Sequence, residues 1–157
     1  MSKALPDLFG VLEKLNRIGA SLSSEKNLDK LLESILLNTQ EIANADGGTL
    51  FVATEHQSLQ FSIVSNNTLG IRWRAGDNSP VSFPELPLEI HGQPNHNAIA
   101  AHCAISKQSV NIQNAYLETG YDFSGAKAFD SAMGYRTQSV LAVPLVNHQN
   151  KVLAVLQ

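Results

Sequence analysis

Cysteine is almost absent from this sequence, and so are long apolar runs. Cys103 is the only cysteine among 157 residues, so the chain cannot close an internal disulfide and we expect a reducing, cytoplasmic environment. No apolar run approaches the roughly 20 residues that a membrane-spanning helix needs. The first residues lack the apolar core of a signal peptide. These absences predict a cytoplasmic protein without membrane insertion.

Charge is also sparse. Charged residues make up 16% of the chain, and the net charge is -3. This gives no electrostatic reason to expect a nucleic-acid partner or an anionic membrane surface. Hydrophobic residues make up 43%, which is ordinary for a globular domain with a full core.

Motifs for catalysis and for metal binding are missing as well. The sequence has no Gly-rich phosphate loop, nucleophile elbow or His-Glu-x-x-His motif, and its acidic residues are scattered. His91, His96 and His102 are close in sequence, but their spacings do not place two of them on one helix face, which favours solvated or capping histidines over metal ligands. Cys103, next to alanines on a predicted helix, indicates a buried thiol. We therefore expect a non-catalytic chain with no metal site and no certain cofactor.

A stripe of apolar side chains predicts an N-terminal helix that packs on another helix, because the residues recur at alternating spacings of three and four. The stripe consists of Leu8, Val11, Leu15, Ile18 and Leu22. Gly10 and Gly19 each weaken an isolated helix by about 1 kcal/mol, so packing must hold it. The helix either packs on its own domain or pairs with a second subunit. We favour the second interpretation, a dimerisation and linker helix over residues 1–25 in a homodimer.

Residues 26–157 predict a single α+β domain. Asn27 is a good N-cap for a second helix that ends near Asn44. A hairpin, two further helices and a final hairpin predict a mostly antiparallel sheet. A long loop rich in proline and glycine interrupts the pattern. The predicted elements are strands at 49–53 and 59–64, a loop at 65–95 with at most a short strand at 81–83, a helix at 95–105, a strand at 109–112, a helix at 124–133 and a hairpin from 140 to the end.

The turn at residues 134–137 offers the groups of a binding site. Arg136 supplies a guanidinium, Thr137 a hydroxyl, and Asp130 a carboxylate one helical turn earlier. Such a set can hold a small polar ligand in an otherwise apolar pocket. The alternative is structural, with Arg136 paired to a local carboxylate and Thr137 starting the strand. Likewise, Phe123 and Phe129 could stack on a planar ligand or belong to the core.

Several stretches together resemble a GAF domain, in particular the regulatory GAF domains of cyclic-nucleotide phosphodiesterases, cyanobacterial adenylyl cyclases and bacterial HD-GYP phosphohydrolases. The most specific stretch is Asp-x-x-x-Gly-Tyr-Arg-Thr-x-Ser, from Asp130 to Ser139. The resemblance implies a PAS-related sheet of five to six mostly antiparallel strands, with helices on both sides and dimerisation through terminal helices. The other stretches are residues 111–116, 123, 129, 143–145 and 152–157.

The resemblance also implies ligand contacts, although two of the matching positions differ from those of cyclic-nucleotide binders. Met133 stands where binders commonly have threonine, and Ser65 lacks their carboxylate. A cyclic nucleotide, another small molecule and no ligand at all therefore remain open. A bilin and methionine-sulfoxide reduction are disfavoured, because Cys103 is outside the bilin motif and is a single cysteine. The implied contact positions are Thr49, Ser65, Ile99, Ala100, Asp130, Met133 and Thr137.

The expected function is that of a regulatory or sensory domain in a larger bacterial signalling protein. Ligand occupancy would be coupled to an output domain, such as a phosphohydrolase, cyclase or kinase, through dimerised terminal helices. The alternative is a dimerisation or spacer module without a ligand. Because the sequence stops at Gln157 within a predicted strand, before the Asn-Lys…Phe…Asp-Glu signature of the family, we expect a domain truncated at its C-terminus.

Overall fold

The computed structural model describes residues 8–157, which form four helices and nine strands. They are α1 (Leu8–Ser24), α2 (Leu28–Ala43), β1 (Gly47–Ala53), β2 (Ser58–Asn66), β3 (Ile71–Arg74), β4 (Leu86–Pro87), β5 (Glu89–Ile90), β6 (Gln93–Pro94), α3 (Ile99–Ser106), β7 (Val110–Ile112), α4 (Ser124–Met133), β8 (Val140–Val146) and β9 (Val152–Leu156).

The strands form one antiparallel sheet with the order β3-β2-β1-β9-β8-β7, and β4 adds a short pairing to β2. Strands β5 and β6 pair only with each other. The main path of six strands confirms the predicted α+β class and its mostly antiparallel sheet. Both predicted hairpins, β1 with β2 and β8 with β9, are present.

Apolar clusters cover both faces of this sheet. On one face, Leu36 of α2 packs with Leu50 and Ile63. On the other face, α3 and the start of α4 pack over a larger cluster. Helices therefore lie on both sides of the sheet, as predicted. The larger cluster contains Phe51, Leu59, Ile99, Ala100, Cys103, Ala104, Val110, Ile112, Ala115, Phe123, Ala142 and Val155.

Local sequence explains how α2 is held against β1. The Asn27 side chain accepts a hydrogen bond from the Lys30 N–H at 3.1 Å and so caps the helix as predicted. Gly48 lies under α2, where an added Cβ would be 2.9 Å from side-chain atoms of both Leu36 and Gln40. Real Cβ atoms do not approach that closely, so glycine permits the close contact between helix and strand.

The predicted loop at 65–95 is wrong in two respects, because it contains four short strands, β3 to β6, and because the short strand expected at 81–83 is not formed. Residues Ile71–Arg74 form β3 at the sheet edge, while residues 81–83 have no regular structure. The chain nevertheless packs on the domain as predicted, because Phe83 stacks on Phe61 at 4.8 Å and meets Trp73 edge-on. The third helix begins at Ile99, four residues later than predicted.

Helix α1 leaves most of its apolar stripe exposed. Leu8, Val11 and Leu15 are 66%, 41% and 45% exposed, whereas Ile18 and Leu22 are half-buried. A salt bridge of 2.7 Å between Lys14 and Glu41 links α1 to α2. Within residues 8–157, no helix has both the length and the apolar character needed to cross a membrane.

Candidate ligand-binding site

The polar groups of the predicted site meet where α4 ends. Gly134, with φ of 64°, terminates the helix in the left-handed conformation that glycine adopts readily. The chain then returns so that the Thr137 N–H and hydroxyl donate to Asp130 at 2.7 and 3.0 Å. The Tyr116 hydroxyl donates to the same carboxylate at 2.7 Å. Asp130 is only 2% exposed, so its oxygens are engaged within the protein.

These hydrogen bonds set the ionisation of Asp130. Burial acts to raise the pKa of this carboxyl, but the hydrogen bonds from Thr137 and Tyr116, together with the positive charge of Arg136, outweigh it and lower the pKa below its ordinary value. The hydrogen bond to Asp130 conversely raises the pKa of the Tyr116 hydroxyl. Asp130 is therefore a carboxylate at neutral pH, held as a structural acceptor.

The Arg136 side chain packs on the face of the Tyr116 ring. Its guanidinium carbon lies 4.1 Å from the centroid of the Tyr116 ring, which is a cation–π contact. The ammonium of Lys127 lies 5.4 Å from the same centroid. Arg136 itself is exposed, so its charged head is accessible to a ligand as well.

Tyr135 ties the turn to the start of β1, a contact that sequence reasoning missed. Its hydroxyl donates to Asp46 at 2.7 Å, and the Thr68 N–H and hydroxyl donate to the other oxygen of Asp46. The hydrogen bonds from Tyr135 and Thr68 lower the pKa of Asp46. Because Tyr135 and Asp46 are 89 residues apart, no local pattern could have paired them.

Beside this turn lies a cavity of about 780 Å³, a volume typical of small-molecule pockets. Its wall includes four of the predicted contact residues: Thr49, Ser65, Arg136 and Thr137. Phe129 also lines it. The rest of the wall comes mainly from α2, the start of β1, the end of β2 and the start of β8.

Two residues that line the cavity each have a buried polar atom with no hydrogen-bond partner among residues 8–157. These atoms are the Gln40 side-chain oxygen and the Ser65 hydroxyl, in side chains that are 6% and 2% exposed. The Gln40 amide nitrogen donates to the Asp46 carbonyl at 3.3 Å, which fixes the side chain. An unsatisfied buried polar group costs about 1–3 kcal/mol.

Gln40 was not among the predicted site residues, although the sequence contained a signal. Leu32, Leu36 and Gln40 follow each other at spacings of four on the face of α2 that packs on the sheet. A glutamine in such a series places an amide where the pattern predicts an apolar side chain, and buried amides call for partners.

The remaining predicted contact residues lie elsewhere. Ile99, Ala100 and Phe123 are buried in the apolar cluster on the opposite face of the sheet, while Met133 is 44% exposed at the end of α4. Asp130 is buried in the turn after α4 and is not among the lining residues of the cavity. The structure thus divides the predicted set between the cavity wall, the buried turn, the core and the surface. Cys103 is buried in the same core, and burial raises the pKa of its thiol to about 11.

Solved structures share this fold. The GAF domain of a phosphoenolpyruvate-protein phosphotransferase from Coxiella burnetii matches with a TM-score of 0.66 and 16% identity, covering 94% of this chain and 76% of that one. The GAF domain of an Acinetobacter phosphoenolpyruvate-protein phosphotransferase matches with a TM-score of 0.63 and 18% identity, covering 92% and 73%. At these identities the likeness establishes the fold alone.

Sequence comparison gives the family. The cGMP-specific 3',5'-cyclic phosphodiesterase of Drosophila virilis is 24% identical over 139 residues, which is 87% of this chain but only 14% of the phosphodiesterase. The chain therefore spans a small part of that relative's length. The sequence profile of the GAF domain family matches residues 27–157. Together with the fold, this match shows that the chain belongs to the GAF domain family, whose members are regulatory and sensory modules of signalling proteins.

Proposed function

We propose that this chain is a ligand-sensing regulatory domain of a larger bacterial signalling protein in the cytoplasm, and that a small polar molecule binds in the cavity between α2 and the β1 end of the sheet. The observation that carries the proposal is a cavity of about 780 Å³, two of whose lining residues, Gln40 and Ser65, each have a buried side-chain oxygen without a hydrogen-bond partner among residues 8–157. Native structures seldom leave such atoms unsatisfied.

The wall of the cavity indicates the chemistry of the ligand. Gln40 Oε1 only accepts hydrogen bonds, so the ligand must present an N–H or O–H group there. Ser65 Oγ can donate or accept. The exposed guanidinium of Arg136 suits an anionic group such as a phosphate. Cyclic nucleotides combine these features and are named in the phosphodiesterase relatives, so they are the first molecules to test.

Occupancy of the cavity can reach the rest of a signalling protein through the helices. Helix α2 forms one wall, and the Lys14–Glu41 salt bridge joins it to α1. If two arrangements of α1 and α2 differ in their affinity for the ligand, binding shifts the balance between them. A coupling of about 1–3 kcal/mol is enough to regulate an attached phosphohydrolase, cyclase or kinase domain.

Calorimetry with cyclic AMP and cyclic GMP tests this proposal, with two serine variants of β2 as a matched pair. Ser65→Ala removes a hydroxyl from the cavity wall, whereas Ser62→Ala removes one from a half-buried residue that does not line the cavity. Binding that Ser65→Ala weakens by about fivefold or more, the value of one hydrogen bond of about 1 kcal/mol, supports the site. Absence of heat with both nucleotides removes the cyclic-nucleotide version.

The second candidate is a dimerisation and spacer module without a ligand. The observation that favours it is the apolar filling between the sheet, α3 and α4, together with the fully engaged carboxylate of Asp130. In this case the chain would act through α1, whose seam of Leu8, Val11, Leu15, Ile18 and Leu22 would pair two subunits. A broad metabolite screen without any thermal shift would favour this candidate over the first.

The α1 seam is part of both candidates and has its own test. Replacing Leu15 and Ile18 together by glutamate puts charges into the proposed interface, so light scattering should show a dimer becoming a monomer. Arg17→Glu changes a neighbouring exposed residue outside the stripe and should leave the dimer intact. A dimer that survives the double change would contradict pairing through α1.

A further inference from the structure

Two histidine side chains meet beside the beginning of α3. Nδ1 of His96 lies 2.9 Å from Nδ1 of His102, and the ring centroids are 4.9 Å apart. His96 is exposed in the segment before the helix, while His102 is half-buried on α3. Their spacing in sequence disfavours a metal site on a single helix face, but this pair meets because His96 precedes the helix.

The backbone around both histidines is anchored independently of their contact. The Asn95 N–H and side-chain amide donate to the carbonyls of Leu88 and Pro87, both at 2.8 Å. The Asp122 N–H donates to the Asn97 carbonyl at 2.8 Å. His102 belongs to α3. Its ring packs edge-on against the ring of a tyrosine in the loop before α4, with the two ring centroids 5.5 Å apart. The backbone that carries the two imidazoles is therefore held in place, which lowers the cost of binding an ion between them.

The separation of the two nitrogens brings both within reach of one metal ion. Metal–imidazole bonds are about 2.0–2.1 Å long, so two ligands at a right angle place their nitrogens about 2.9 Å apart, whereas tetrahedral ligands place them about 3.3 Å apart. The observed 2.9 Å is the length of a hydrogen bond between the two rings, and it lies within a few tenths of an ångström of both spacings, so one ion can reach both nitrogens. Square-planar, tetragonal and octahedral ions with nitrogen and oxygen ligands include Cu²⁺ and Ni²⁺.

We propose that His96 and His102 form a two-imidazole site for a divalent transition-metal ion of the Cu²⁺ or Ni²⁺ class, with both Nδ1 atoms as ligands. Residues 8–157 contain no group of three or more histidine, cysteine or carboxylate side chains placed to hold a metal, so water fills the remaining positions. The site is separate from the cavity and does not depend on the proposed function.

Binding requires a change of tautomer in one ring. In the hydrogen-bonded pair one Nδ1 carries a proton and the other accepts it. For both Nδ1 atoms to bind the ion, the donor ring must carry its proton on Nε2 instead, and solvent can transfer it. The ion then replaces one hydrogen bond by two coordinate bonds and fastens residues 95–98 to α3.

The test is calorimetric titration of the untagged chain with NiCl₂ at pH 7.5. We expect one saturable site, weakened by about tenfold or more in His96→Gln and in His102→Gln, a loss of about 1.4 kcal/mol. His148→Gln alters an exposed histidine of the turn between β8 and β9 and should bind like the parent chain. With Cu²⁺, electron paramagnetic resonance should show coupling to two imidazole nitrogens.

Three results would overturn the proposal: no saturable binding of Ni²⁺, binding by His96→Gln at the parent affinity, or equal weakening by His148→Gln. Because His96 is exposed, its variant should fold and carries the test even if His102→Gln is destabilised. Thermal melts of each variant without metal separate lost binding from lost structure.

Discussion

Replacing Asp130 with asparagine probes the polar cluster that holds the α4 turn. The carboxylate is 2% exposed and accepts three hydrogen bonds, from the Tyr116 hydroxyl and from the N–H and hydroxyl of Thr137. Asparagine has nearly the same shape, but one of its two terminal groups is an NH₂ that donates. With its oxygen in place of Oδ2, asparagine still accepts from Tyr116 and from the Thr137 N–H, but its NH₂ then forces the Thr137 hydroxyl to turn from donor to acceptor, and all three hydrogen bonds lose their charge.

The structure sets the size of the effect. A hydrogen bond to a charged group contributes about 1.5–3 kcal/mol, whereas one between neutral groups contributes about 0.5–1.5 kcal/mol. Because the substitution makes three hydrogen bonds neutral, at a loss of about 1 kcal/mol each, we expect Asp130→Asn to lower the free energy of unfolding by about 3 kcal/mol. For a domain of this size that corresponds to a fall in melting temperature of roughly 6–12 °C.

The effect also depends on pH. Because the folded protein lowers the pKa of Asp130, the carboxylate contributes its full stabilisation above the unfolded pKa of about 3.9, and loses it as the pH falls through the lower folded value. Urea unfolding should therefore show a constant difference between parent and variant from pH 6 to 8. That difference should shrink below about pH 4.

Asp122→Asn is the matched control. Asp122 is an exposed carboxylate that accepts a hydrogen bond from the Ser124 N–H at 2.8 Å, so its replacement should destabilise the domain much less than that of the buried Asp130. Unfolding of Asp130→Asn within about 0.5 kcal/mol of the parent chain, the usual range for a surface substitution, would refute the role given to this carboxylate. Equal losses of stability in the two variants would refute it as well.

Three further predictions concern packing, the Tyr135 hydrogen bond and the thiol. Gly48→Ala should lower the free energy of unfolding by about 1–3 kcal/mol, because its Cβ would overlap α2. Gly125→Ala in α4, with open space around its Cβ, should be neutral or stabilise by up to about 1 kcal/mol. If urea unfolding showed Gly125→Ala to be the less stable variant, the close approach of α2 to β1 would be contradicted. Tyr135→Phe should cost about 1 kcal/mol and raise the pKa of Asp46 towards its ordinary value by removing its hydrogen bond, and an unchanged carboxyl titration by NMR would count against that bond. Cys103 should resist a thiol reagent at pH 8 in the folded chain and react fully in denaturant, because burial raises its pKa to about 11; rapid labelling of the folded chain would show that the thiol is accessible.

The elements with local signals could be predicted from the sequence. Helix α4 has the predicted bounds, Ser124–Met133, because its amphipathic pattern ends at a glycine that stops the helix. Helix α2 begins after its predicted cap, Asn27. Strand β3 could not be predicted, because Ile71–Arg74 has only four residues, two of them arginines, and is defined by its pairing with β2. Short strands of this kind depend on tertiary context more than on propensity.

The candidate site likewise has a part that could be predicted from local sequence and a part that depends on tertiary packing. The sequence places Asp130 and Thr137 close together, since only seven residues and one turn separate them, and the structure joins them by hydrogen bonds. The partner of Tyr135 is 89 residues away, and the cavity depends on how α2 lies on the sheet. The sequence marks Gln40 as an amide in an apolar series, but only the packing of α2 on the sheet places this residue at the cavity.

The most direct test of the proposed ligand site is the location of a bound ligand on the folded chain. Once a molecule from the screen binds, a ¹H–¹⁵N NMR titration of the labelled chain reports which residues it touches. A ligand in the cavity predicts the largest shifts at Gln40 (side-chain amide), Gly48 and Ser65, which line it. Shifts centred on Ile99 and Phe123, in the core on the other face of the sheet, would contradict the proposed site.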